Sequence, residues 1–278
     1  MPYAKLNTKQ YQRTLMHLPT LVTAVVRIAQ DAGDKIMAVY NSPDFAVEHK
    51  ADDSPLTAAD MAAHHHIVDA LTALTPQYPV LSEESANLPF SERSQWQTYW
   101  LVDPLDGTRE FVKRNGEFST LIALVHNNVP ILGVVHAPAL NETWFAHQGG
   151  GAFKQMHGET FPISTRATGK PLKVMGSKSH RDPIMPQFLE RIGEHEYAVM
   201  GSILKACRVA EGSADIYPRL GLTSEWDTAA AQIIVEEAGG HFTRADMQPL
   251  RYNTKDSLLN PHFFVFGKDY HDWSQYLV

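Results

Sequence analysis

The 278-residue chain has one cysteine, Cys207, so it can form no intramolecular disulfide and offers no thiolate metal site. That usage fits a reducing cytoplasm. The chain is also short of positive charge, with 24 Lys and Arg against 31 Asp and Glu, for a net charge of −7. Binding duplex nucleic acid needs a basic face, so that class is set aside. An anionic small molecule is not, because bound divalent cations would invert the local charge. No run approaches the roughly 18 apolar residues of a membrane-spanning helix. Residues 1–10 are polar and lack the apolar core of a secretion signal, so no export is expected. Repeats and low-complexity tracts are missing too. The triple glycine Gly149-Gly150-Gly151 has neither G-x-G-x-x-G spacing nor a following Lys-Ser or Lys-Thr. It predicts a tight bend, not a nucleotide loop.

What is present is a 44% hydrophobic chain with 20% charged residues, enough for a sizeable core in one large domain or two ordinary ones. Leu18, Leu21, Val22, Val25, Ile28, Ala29 and Ala32 recur at helical spacing and predict a helix ending near Gly33. A second helix is expected over 58–74. The period then shortens, and 78–81, 99–102, 119–126, 131–136 and 143–147 read as strands. Beyond Thr165 strands at 172–175, 197–200, 214–217 and 263–266 alternate with helices at 183–192, 203–211 and 228–238. A strand-rich half followed by an alternating half predicts two sub-domains, 1–165 and 166–278, in an α/β (α+β) fold. His64-His65-His66 would point in different directions on a helix, so the three cannot ligate one ion.

The chemistry concentrates in Trp100-Leu101-Val102-Asp103-Pro104-Leu105-Asp106-Gly107-Thr108. Leu101 and Val102 suit a buried strand, and Pro104 cannot continue a central ladder, so a turn is expected there. Asp103 and Asp106 would then leave the strand end into one space. Hard oxygen ligands on a turn suit Mg²⁺ or Mn²⁺, with positions kept for water and phosphate. Gly107 permits close backbone approach, and Thr108 supplies a hydroxyl. The plainer reading of Asp-x-x-Asp is a turn with Asx hydrogen bonds. Acidic residues recur at other element ends. Glu83-Glu84 follows Val80-Leu81, Asp227 stands before a predicted helix as a cap would, and Asp60 lies in the first turn of the second helix.

Ser82-Glu83-Glu84-Ser85, the 100–108 stretch, and Trp226-Asp227-Thr228-Ala229-Ala230 with Ala238-Gly239-Gly240 resemble the inositol-monophosphatase superfamily of metal-dependent, lithium-sensitive phosphatases. The similarity runs from about Thr57 to Phe266. Asp106 to Phe118, Gly201-Ser202-Ile203-Leu204-Lys205 and Ala214-Asp215-Ile216-Tyr217-Pro218-Arg219 resemble the bacterial 3′(2′),5′-bisphosphate nucleotidases of sulfate assimilation in particular. The resemblance implies a layered α-β-α-β-α sandwich. It implies that Glu83, Asp103, the Leu105 carbonyl, Asp106 and Asp227 hold two or three Mg²⁺, most of them on the first sub-domain and the last on the second. Asp60 and Thr108, with Glu83, match the groups that prepare the attacking water. Gly107 and Thr108 match backbone phosphate contacts, and Ser177, His180, Ser202, Lys205 and Asp227 match substrate contacts. Ala231 and Ser82 depart from the family's usual glycines, at positions that are not ligands.

The physical reading agrees. Carboxylates gathered in one cleft repel by roughly 4 kcal/mol per pair at about 4 Å and an effective dielectric near 20, and cations resolve that. Ser202 is expected at the N-cap of the 203–211 helix with its side chain turned to a phosphate. Lys205 would supply a cation for a second phosphate, and Cys207 reads as a small buried residue. The expected activity is Mg²⁺-dependent removal of the 3′-phosphate of 3′-phosphoadenosine 5′-phosphate, giving AMP, with action on 3′-phosphoadenosine 5′-phosphosulfate as an extension. The expected place is the cytoplasm, with peripheral association at the inner face of the cell membrane left open. Three alternatives stand. They are an inositol monophosphatase or sugar bisphosphatase, a non-catalytic sensor of bisphosphate nucleotides, and a glycosyltransferase holding a metal nucleotide at Asp52-Asp53.

Overall fold

The structure, a computed structural model, describes residues 8–43, 47–49, 55–179 and 182–277. Helix α1 (Thr8–Tyr40) leads through a small antiparallel pair, β1 (Val47–His49) and β2 (Pro55–Thr57), to α2 (Ala58–Leu74). β3 (Val80–Ser82) ends in a 3₁₀ turn at Glu83–Ser85, and α3 (Phe90–Arg93) follows. Next come β4 (Thr98–Asp106), α4 (Thr108–Val112), β5 (Ser119–His126), β6 (Val129–Ala137), β7 (Glu142–His147), β8 (Gly151–Met156) and β9 (Glu159–Ile163). β3 to β9 form one sheet in sequence order, antiparallel except for the β3–β4 pair.

The second half supplies β10 (Leu172–Ser177), α5 (Met185–Ile192), β11 (His195–Met200), α6 (Leu204–Ala210) and β12 (Ile216–Arg219). A 3₁₀ turn at Glu225–Asp227 precedes α7 (Ala229–Glu237), followed by β13 (His241–Arg244) and β14 (Phe263–Phe266). The strands form a mixed sheet in the order β11-β10-β12-β14-β13.

Side-chain alternation along the strands builds the layers. Trp100, Val102, Ile122 and Leu124 face α1 and α2. Tyr99, Leu101, Leu121 and Ala123 face the other way, into a core shared with α6, α7, Tyr217 and Phe263. On the far side of the second sheet, Val174, Ile216, Phe264 and Phe266 pack on Phe188 of α5. The result is the expected α-β-α-β-α sandwich. α7 lies close on β6 because Gly133 has no side chain, and a Cβ there would come within 2.3 Å of the Ala230 carbonyl.

Two expectations are corrected. α1 runs past Gly33 to Tyr40. Gly33 serves contact rather than termination, since a Cβ would stand 2.6 Å from the His136 ring where α1 crosses β6. β4 also continues through Pro104 to Asp106. The pairing with β5 shifts register between Asp103 and Asp106, so Pro104 sits in a bulge, beyond the stretch paired to β3. The triple glycine does form the β7–β8 bend, and its N–H groups at Gly149 and Gly151 donate to the Glu237 carboxylate at 2.8 and 2.9 Å. The histidines of α2 diverge as expected, with His64 buried against Ser82 and His65 exposed.

Candidate active site

The bulge in β4 and the left-handed turn after it deliver the acidic residues to a cleft of about 500 Å³ between the two sheets. Glu83, Asp103, Leu105, Asp106, Gly107, Thr108, Ser177, Ser202, Lys205 and Asp227 all line it. Gly107, at φ +89°, turns the chain into α4, and a Cβ there would press the Glu117 carbonyl at 3.1 Å. Asp60 stands just behind. Its Oδ2 accepts from the Thr57 N–H at 2.7 Å and hydroxyl at 2.6 Å, and its Oδ1 lies 3.3 Å from the Thr108 hydroxyl. The same Thr108 hydroxyl lies 3.1 Å from the Leu105 carbonyl. Among the predicted residues His180 lies outside the described ones, as do Asp52 and Asp53.

Each aspartate is aimed by a donor from its own chain. Asp103 accepts from Leu105 N–H at 3.0 Å, Asp227 from Ser224 N–H at 2.8 Å, and Asp106 from Ile203 N–H at 2.6 Å and from the Ser202 hydroxyl. Burial, then Glu83, Asp106 and Asp227, push the Asp103 carboxyl well above its usual range. Burial, then Asp106 and Glu83, do the same to Asp227. Asp106 is raised by burial, against the opposing pull of Ser202, Lys205 and Ile203. As placed, no three His, Cys, Asp or Glu side chains among the described residues close round one point as a metal cluster. The donor chemistry nevertheless fits a hard divalent cation. All donors are oxygens, they bear one sign of charge, and their mutual repulsion is what a cation relieves.

The substrate-contact candidates are less open than expected. Ser202 is not the N-cap of α6. Ile203 holds that place, and Ser202 sits at φ +53° with its hydroxyl on Asp106. The helix start is satisfied by Asp106 itself, which explains why the serine side chain is not free to cap. Lys205 is 3% exposed, donates to the Met200 carbonyl at 3.1 Å and the Ser202 carbonyl, and lies over the Tyr217 ring at 5.0 Å. Burial lowers its ammonium to about 8. Sequence reasoning missed Arg219, which lines the cleft and donates to the Leu222 carbonyl at 2.8 Å. It also missed Glu110 and Glu117. Glu117 accepts from Gly201 N–H at 2.8 Å and so holds the turn before α6. All three fall inside the quoted motifs, and that was the available signal. Cys207 is buried and its thiol is pushed up by burial, as a packing residue would be.

A two-sheet sandwich with an acidic cleft at the junction defines a class, and the sequence comparison agrees. The chain belongs to the inositol monophosphatase family, whose model matches residues 17–273. It is 48% identical over 246 residues to the 3′(2′),5′-bisphosphate nucleotidase CysQ of Escherichia coli K12, covering 88% of this chain and 99% of that one. The Haemophilus influenzae protein of the same name is 39% identical over 91% of this chain and 95% of its own length. Among solved structures, CysQ from Bacteroides thetaiotaomicron is 40% identical with a TM-score of 0.82, over 92% of this chain and all of that one.

Proposed function

We propose that the chain is a Mg²⁺-dependent 3′(2′),5′-bisphosphate nucleotidase that removes the 3′-phosphate of 3′-phosphoadenosine 5′-phosphate to give AMP and phosphate. Its place would be sulfate assimilation in the cytoplasm, with 3′-phosphoadenosine 5′-phosphosulfate as a further substrate and Li⁺ as an inhibitor. The observation that carries this is the gathering of Glu83, Asp103, Asp106, Asp227 and the Thr108 hydroxyl in one cleft, with Asp60 behind Thr108. The relatives' name supplies the substrate class.

In this reading Glu83, Asp103, the Leu105 carbonyl, Asp106 and Asp227 hold two or three Mg²⁺. Metal held there would supply neutralising charge for the phosphoryl group and would lower the pKa of the attacking water. The chain's own residues do the rest. Thr108 has one hydroxyl proton and two acceptors in reach, Leu105 and Asp60. Directed to Asp60, it leaves a lone pair to orient the attacking water and a path for that water's proton. Glu83 is a second proton acceptor at the cleft. The Gly107 and Thr108 N–H groups open α4 and face the phosphate. Ser177 and Ser202 line the cleft where the rest of the substrate would lie, and His180, outside the described residues, joins them by the family resemblance alone. Lys205 and Arg219 give the floor positive charge where the second phosphate rests.

The test is phosphate release with Mg²⁺, with and without Li⁺, from 3′-phosphoadenosine 5′-phosphate, inositol 1-phosphate and fructose 1,6-bisphosphate in parallel. Strong preference for the nucleotide, suppressed by Li⁺, is expected. Preference for either sugar phosphate would discard the substrate assignment. Tight nucleotide binding without phosphate release would make the chain a sensor.

A further inference from the structure

Arg93 and Glu225 are each 1% exposed, yet no role in the cleft accounts for them. They are joined through Asn253. Arg93 Nη1 donates to Asn253 Oδ1 at 2.6 Å, Asn253 Nδ2 donates back to the Arg93 carbonyl at 2.6 Å, and Asn253 N–H donates to Glu225 Oε2 at 2.7 Å. The other arm of the guanidinium reaches the Lys255 carbonyl at 3.1 Å and the Asp256 carbonyl. Asn253 belongs to an irregular strap, residues 252–260, that holds the 223–228 turn from several points. Glu225 N–H donates to the Leu258 carbonyl at 2.8 Å, and Asn260 N–H to the Thr223 carbonyl at 2.8 Å. The Asn260 side chain reaches the Ser224 carbonyl at 2.5 Å and the Thr228 hydroxyl at 3.0 Å.

What the relay connects is the point. Arg93 ends α3, on the segment that follows the Glu83 turn, and Glu225 opens the turn that carries Asp227. Glu83 and Asp227 come from different elements and from opposite halves of the chain, and Glu83 helps push the Asp227 carboxyl upward. Both turns pack against β4, and the relay adds a direct link between the segment after one and the start of the other. Burying charged groups is a weak source of stability, because desolvation offsets attraction. Position is the better account of their presence.

We infer that Arg93, Asn253 and Glu225 are positioning residues that set the distance between the Glu83 and Asp227 walls of the cleft and so tune its affinity for divalent cations. The inference rests on the metal-dependent reading of the cleft given above.

The test is Mn²⁺ binding to the full chain, followed by electron paramagnetic resonance, alongside thermal unfolding. Asn253 is at φ +53°, so Asn253→Gly keeps the left-handed backbone and removes the side chain alone. It is expected to weaken Mn²⁺ binding about tenfold. Glu225→Gln still offers an oxygen to Asn253 N–H and is expected to stay within twofold of wild type. Lys154→Met breaks a buried charge cluster remote from the cleft. It should lower the melting temperature while leaving Mn²⁺ affinity within twofold. The inference is overturned if Asn253→Gly binds within twofold of wild type, if Lys154→Met weakens binding as much, or if Glu225→Gln loses tenfold, since charge would then matter more than place. Should Asn253→Gly fail to fold, Arg93→Lys replaces it. A lysine cannot fork to Asn253 and the strap together, and unchanged Mn²⁺ binding in that variant overturns the inference too. Wild type that binds no Mn²⁺ is a different result, which removes the metal reading itself.

Discussion

Two groups of buried charge lie on opposite sides of α6, and they are built in opposite ways. Toward its C-terminal end, Lys154 bridges Glu142 and Glu211 at 2.9 Å each, and Arg208 bridges the same two at 2.9 and 2.7 Å. The Trp144 ring lies 4.8 Å from the lysine and 5.3 Å from the arginine, and its N–H donates to Glu211 at 3.0 Å. Burial alone would raise Glu211, but its bonds from Arg208 and Lys154 outweigh that and hold the carboxyl below its usual range. Toward the N-terminal end, Asp103, Asp106 and Asp227 face one another and are all pushed upward. One cluster is complete within the chain. The other is left short of positive charge, which marks it as the place where something from outside must bind.

The comparison can be broken by substitution. The largest expected effect is on turnover: Asp60→Asn removes the proton-accepting carboxylate behind Thr108 and should lower phosphate release about a thousandfold, while Mn²⁺ binding and circular dichroism stay near wild type. Near-normal turnover would remove Asp60 from the mechanism. Next, Lys154→Met leaves Glu142 and Glu211 with one cationic partner instead of two, and should cost about 3 kcal/mol in urea unfolding. A loss well under 1 kcal/mol would mean the paired cluster contributes little.

A third prediction concerns pH. His136, buried in β6 beside Thr143, is held by desolvation at about 4 against an ordinary 6.5. The unfolded chain therefore binds this proton between those values and the folded chain does not. Its contribution is fully present above about pH 6.5 and is lost as pH falls toward 4, by about 3 kcal/mol in all. His136→Gln should flatten that part of the acid limb, and an unchanged limb would exclude His136 as its source. The smallest effect has the opposite sign. At pH 8 without metal, Asp103→Asn relieves repulsion and should stabilise the chain by about 1 kcal/mol, raising the melting temperature by roughly 3 °C. Loss of stability there would show that the cleft carboxylates do not strain the fold.

Sequence alone determined the elements whose signal is local. α2 lies at 58–74 as predicted because Thr57 and Asp60 form a capping box and Pro76 follows its end. β5 and β14 lie at 119–126 and 263–266 as predicted, since continuous apolar runs bounded by turn residues state their own limits. The acidic motifs were equally plain, because residue type and order carry them. Other features had no local signature. β8, β9 and β13 went unpredicted, being short and polar on one side, and they exist because neighbouring strands offer them a ladder. Gly33 looks like a helix stop in one dimension and is a contact with His136 in three. Pro104 reads as a strand breaker, yet β4 absorbs it as a bulge because the pairing with β3 ends at Val102.

The same division runs through the site. Motif order, through the resemblance to the family, named Glu83, Asp103, Asp106, Thr108 and Asp227. Only the packing of two sheets about α6 and α7 brought residues 83, 103 and 227 to one cleft. The tertiary structure alone decided that the Lys205 ammonium is spent on the Met200 and Ser202 carbonyls and that the Ser202 hydroxyl belongs to Asp106. The reason is physical. Residue type fixes what a side chain can donate or accept, whereas its partner is fixed by whichever unsatisfied group the fold leaves within about 3 Å.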